Sequence, residues 1–112
     1  MKKDPKVALE VATIFKLIKE ISPGKAVELR VPPYGAIQCG EGAIHRRGMP
    51  SNQVEMSADT LILLGINPES WAALVGQGQI SASGLASDLS KLFIQVSVKY
   101  QAGSEVFGVK WG

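Results

Sequence analysis

The chain has 112 residues, enough for one domain with one hydrophobic core. Hydrophobic residues make up 46% and charged residues 20%, which excludes disorder throughout, and a net charge of +2 is too small to point to nucleic acid or an anionic surface as a partner. A single cysteine, Cys39, excludes an intrachain disulfide and a thiolate metal cluster.

Asp4-Pro5 reads as a helix start, with Asp as N-cap and Pro in the first turn. Val7, Val11, Ile14, Ile18 and Ile21 follow at steps of four and three, and Ala8, Ala12 and Phe15 widen the stripe, so an amphipathic helix is predicted. Glu10, Lys16, Lys19 and Glu20 interrupt the apolar residues, so no signal peptide is read and the cytoplasm is the expected location. Ser22-Pro23-Gly24 stops the helix. Ala26 to Val31 alternates as a strand, ended by Pro32-Pro33, which have no N–H to donate. Tyr34 to Cys39 predicts a second strand. The glycines at 40, 42 and 48 then mark a turn-rich polar hairpin, and Val54–Met56 a further short strand.

Ser57 caps a helix over Ala58 to Leu64, with Gly65 as its stop. Asn67-Pro68 opens another, carrying Trp71, Leu74 and Val75 and ending near Gly76-Gln77-Gly78. Gln79 to Ser83 alternates as a strand. After Gly84, Leu85, Leu89 and Leu92 share one helical face with Phe93 beside them. In the tail Ile94, Val96, Val98 and Tyr100 alternate with polar residues, Ala102-Gly103-Ser104 is a turn signal, and Val106 to Trp111 reads as a returning strand. No run approaches the roughly 20 apolar residues that span a bilayer. The expected class is α+β, a single mixed or antiparallel sheet with helices packed on one face.

Two stretches resemble a known family. VEMSADTLILLGINPESWAALVGQGQISASGLASDLSKL, Val54 to Leu92, is similar to the second half of a sterol carrier protein type-two domain. VELRVPPYGAIQCGEGAIHRRGMPSNQVEM resembles the bacterial sterol-carrier-protein orthologue family more specifically. It supplies Pro32, Pro33, Gln38, Cys39, Glu41, Gly42, His45, Arg47, Gly48, Pro50, Asn52, Val54 and Glu55. The resemblance covers residues 7 to 93 and implies the fold. Beyond Phe93 the chain departs from the helical ending of lipid-carrying members. The expected organisation is a sterol-carrier-like domain over 1–93, with 94–112 as a β-hairpin extension packed on it or extending it.

With that resemblance, the apolar helix residues divide between two readings. Leu61, Leu64, Trp71, Leu74, Val75, Leu85, Leu89 and Phe93 would line a cavity for a lipid, a fatty acyl chain or another small apolar ligand, or they fill a plain core. The polar hairpin would supply a rim from Glu41, His45, Arg46 and Arg47, or merely pair its charges at the surface. The same holds for Arg30. Cys39 and His45 would form a nucleophile only if they met in space, and no third group orients them, so no enzyme, metal or cofactor is expected. The expected function is non-catalytic binding or carriage of an apolar ligand. The alternative is an assembly module with a filled core, acting through the hairpin or the tail. Tyr100, Phe107 and Trp111 make the tail apolar enough to suggest homodimer contact.

Overall fold

A computed structural model describes residues 3–42 and 52–106, with side chains to Gly103. Helix α1 (Pro5–Ile21) begins where the sequence predicts. The Asp4 carboxylate accepts from the backbone N–H of Lys6 at 2.8 Å and of Val7 at 3.4 Å, a cap worth about 1 kcal/mol. The Tyr34 hydroxyl accepts from the Asp4 N–H at 3.0 Å, tying the helix start to the turn after the first strand. Val11, Ile14 and Ile18 are the fully buried stripe.

Strands β1 (Val27–Val31) and β2 (Gly35–Cys39) form an antiparallel pair with Leu29 opposite Ile37 and Val27 opposite Cys39. The Pro32–Pro33 peptide between them is cis, and Tyr34 N–H donates to the Val31 carbonyl at 2.8 Å. β3 (Asn52–Met56) runs parallel to β1, and β4 (Ile80–Ser83) antiparallel to β3, giving a mixed sheet ordered β2-β1-β3-β4. Period-two alternation sorts the faces. Val27, Leu29, Val31, Cys39, Val54, Met56 and Ile80 point into the core. Arg30 and Glu55 point away from it, with Arg30 at 3.8 Å from Glu28 and 4.0 Å from Glu55.

The helices cover the inner face. α2 (Ala58–Ile66) is capped by Ser57, whose hydroxyl accepts from Thr60 N–H. A 3₁₀ turn (Pro68–Ser70) leads into the short α3 (Trp71–Gly76), so the single helix expected after Asn67-Pro68 is divided. α4 (Ser90–Val106) closes the layer.

Three expectations are corrected. Gly65 does not end α2. It lies one residue inside the helix, and a Cβ there would stand 2.9 Å from the Tyr100 ring and 3.4 Å from Ile14, so its lack of a side chain is what lets α4 sit down. The last helix does not begin at Leu85. Ser87 folds back onto the Gly84 carbonyl, Asn52 holds Ala86 N–H at 2.8 Å, and the Asp88 carboxylate accepts from Ser90 N–H only where the helix starts. The tail is not a hairpin as far as it is described: residues 94–106 are helical. Leu89, Phe93, Val96 and Tyr100 recur at steps of four and three and are buried, whereas Ile94 and Val98, which made the strand alternation, are 53% and 66% exposed. The returning strand with Phe107 and Trp111, and tail-mediated dimer contact through them, lie outside the described residues.

The loop after α1 is bonded to the end of β2. Gly40 N–H donates to the Ser22 carbonyl at 2.9 Å, and Ala26 N–H donates to the Gly40 carbonyl at 3.1 Å. Gly24 has φ +137°, and a Cβ there would fall 2.0 Å from that carbonyl oxygen. Gly24→Ala therefore adds both strain and overlap, and about 2 kcal/mol or more of stability should be lost in urea unfolding.

Tyr100 donates its hydroxyl proton to Glu10 Oε1 from a partly buried position. Burial, then the hydrogen bond and the negative charge of Glu10, push its pKa well above the ordinary value of 10.0. A raised pKa in the folded state leaves stability intact below the unfolded value and removes it as pH rises beyond. Denaturation midpoints should therefore fall above about pH 10, and Tyr100→Phe should lose that part of the fall.

Candidate functional site

The residues expected to wall a cavity meet in one place. Leu61 and Leu64 of α2, Trp71 and Leu74 of α3, Leu89 before α4 and Phe93 within it are all buried in the same cluster. Trp71 and Phe93 stack with ring centroids 6.1 Å apart and planes inclined by 28°, a contact worth about 1 kcal/mol beyond its area. Two members of the expected wall do not join them. Val75 is 39% exposed and Leu85 fully exposed. Val75 sits on the solvent side of α3, and Leu85 belongs to the non-helical stretch ahead of α4, so neither faces the interior.

Depressions open at the surface instead, two of them lined by described residues. One, of about 380 Å³, is lined by Ala26, Glu41, Gly42, Asn52, Gly84, Leu85 and Ala86. Its centre is Asn52, whose amide nitrogen donates to the Ala26 carbonyl at 3.0 Å and whose oxygen accepts from Ala86 N–H at 2.8 Å. Asn52 is thus a buried clamp between β1, β3 and the segment leading to α4, with amide nitrogen and oxygen both engaged. Glu41 is the one expected rim residue that the structure describes, and it lines this depression. His45, Arg46 and Arg47 lie outside the described residues. Arg30, paired with Glu28 and Glu55 on the outer sheet face, lines neither depression.

The other depression, about 440 Å³, is a groove between α1 and β2. Ala12 and Phe15 of α1 and Ile37 of β2 supply its apolar surface, and Lys16, Lys19 and Glu20 stand along it. Phe15 reaches over β2 as far as Gly35, where a Cβ would meet the ring at an ordinary van der Waals distance of 3.8 Å. The sequence reading named Ala12 and Phe15 as helix stripe but did not assign them to a site. Their signal is the width of the stripe, since Phe15 lies off the buried line of Val11, Ile14 and Ile18.

Cys39 occupies the inner face of β2 opposite Val27 and is completely buried. Burial pushes its thiol pKa up, away from the thiolate that nucleophilic chemistry needs. Among the described residues no group of three His, Cys, Asp or Glu side chains could hold a metal ion, and no helix is long and apolar enough to cross a membrane. A disulfide-exchange reagent such as DTNB should react with native Cys39 at least about a hundredfold more slowly than with an unhindered thiol, and at full speed in denaturant. Fast native labelling would show that β2 opens readily.

Comparison with known proteins gives the family. A search of curated proteins returns no match. A solved structure described as "UbiJ-SCP2 Ubiquinone synthesis protein" is similar at 16% identity and a TM-score of 0.48, over 88% of this chain and 94% of that chain. The sequence profile of a family described as "Bacterial SCP ortholog" matches residues 3–94, and the chain belongs to that family.

Proposed function

We propose that the protein binds a small apolar molecule without altering it, and that the guest sits in the groove between α1 and β2. The observation that carries this reading is the apolar lining of that groove by Ala12, Phe15 and Ile37. Its volume of about 440 Å³ falls in the range of small-molecule sites, roughly 300–1,000 Å³. Each methylene that leaves water there contributes about 0.8 kcal/mol. Family membership agrees with such a role. A non-catalytic role is supported by Cys39, the one nucleophile singled out in the sequence, which is buried with its thiol pKa raised. The expected wall of Leu61, Leu64, Trp71, Leu74, Leu89 and Phe93 then serves as the packed support behind the sheet, not as the surface that touches the guest.

The groove is tested with Nile red, a neutral fluorophore that brightens on leaving water. It should bind the protein saturably. Ala12 is exposed, so Ala12→Trp should leave the fold intact, fill the groove and weaken binding about tenfold or more. Leu74→Ala, inside the core, should cost about 2–4 kcal/mol of stability and leave the Nile red affinity of the folded protein little changed. Binding insensitive to Ala12→Trp but abolished by Leu74→Ala would move the site into the core and overturn this placement.

A further inference from the structure

The two edges of the sheet differ. β2 has α1 beside it, with Phe15 reaching over the strand and Lys16 and Lys19 standing along the groove. β4 has no such cover. Among the described residues its one neighbour in the sheet is β3, so on its other side alternate residues turn their backbone N–H and C=O outward. Such an edge is a template for another strand, and folded proteins commonly blunt it with lysine, proline or a bulge. β4 carries no charged residue and no proline, and its register against β3 runs unbroken from Ile80 to Ser83.

The surroundings of β4 are also free of charge. Ser70 to Ser87, which take in α3, β4 and the approach to α4, contain no charged residue, and no other stretch of the chain is uncharged for so long. Ala82 lies opposite the buried Val54 on the inner face of the sheet and is itself exposed, so the helical layer stops short of this edge. Val75, on the helix that packs against β4, and Leu85, two residues beyond the strand, are exposed as well. Depletion of charge around small and apolar side chains is the composition of an interface core.

The neutrality of the edge identifies its partner. A two-fold axis sets a surface against itself, so every charge near the axis meets its own sign, and like charges on facing strands destabilise the pair. β4 escapes that penalty. We propose that β4 pairs antiparallel with β4 of a second copy of this chain about a two-fold axis perpendicular to the sheet, joining two four-stranded sheets into one. Facing residues must then share a face of the sheet. An axis through Ala82 sets Ala82 against its own counterpart and Ser81 against the partner's Ser83; an axis through Ser81 sets Ser81 against its own counterpart. Either way serine faces serine on the outer side.

The test is sedimentation equilibrium of the full chain over roughly 1 μM to 1 mM, in which the mass should rise from that of one chain to that of two. Ser81→Lys/Ser83→Lys changes exposed side chains only. It should keep the native circular dichroism and raise the dissociation constant at least about tenfold. Ser81→Glu/Ser83→Glu should do the same. An equal mixture of the two variants should associate again, a rescue that a misfolded variant could not give, and added salt should weaken it. A wild-type chain that stays monomeric throughout would overturn the proposal. So would a Lys variant that dimerises as the wild type does, which would assign association to another surface such as the C-terminal residues. Folded variants whose mixture stays monomeric would also overturn it.

Discussion

The approach of Tyr100 to Gly65 sets the position of the whole helical layer. The ring lies where a side chain at position 65 of α2 would have to be, with Ile14 of α1 beside it, so three helices meet at a point that suits a glycine. Once Tyr100 is seated there, the helical period carries Val96 and Phe93 inward along α4. Phe93 then meets Trp71, and the space behind the sheet is occupied by their stacked rings. Outside that layer, Phe15 of α1 and Ile37 of β2 line the groove between helix and sheet edge.

The polar side chains inside the molecule hold segments together. Asn52 joins β1, β3 and the approach to α4, and Ser87 turns the chain back on Gly84. Among the described residues no buried side-chain nitrogen or oxygen is left without a hydrogen bond. Burial raises the pKa of the Cys39 thiol, and burial with the hydrogen bond to Glu10 raises that of the Tyr100 phenol, both toward their uncharged forms.

Much of this was legible in the residue order because local and tertiary signals agree. Asp4-Pro5 and the stripe from Val7 to Ile21 state α1 almost completely, and the alternation of Val27, Leu29 and Val31 marks the inner face of β1. The family was legible too, from the run around Pro32-Pro33 and Gln38-Cys39. The tail misled because it satisfies two periods. Ile94, Val96, Val98 and Tyr100 alternate as a strand, while Phe93, Val96 and Tyr100 fit a helix, and what decides between them is the vacancy at Gly65 in a distant element. Gly65 itself has the residue type of a helix stop and is used instead as a notch. The groove was hidden for a related reason. Phe15 and Ile37 belong to different elements, and the strand pattern names the face of Ile37 without naming what stands over it.

The bonds between Ser22, Ala26 and Gly40 bear on any guest of the groove. They fasten the end of α1 and the start of β1 to the end of β2, so the two banks of the groove are tied together at that end. Parting those banks to admit a bulkier shape would first have to break these bonds.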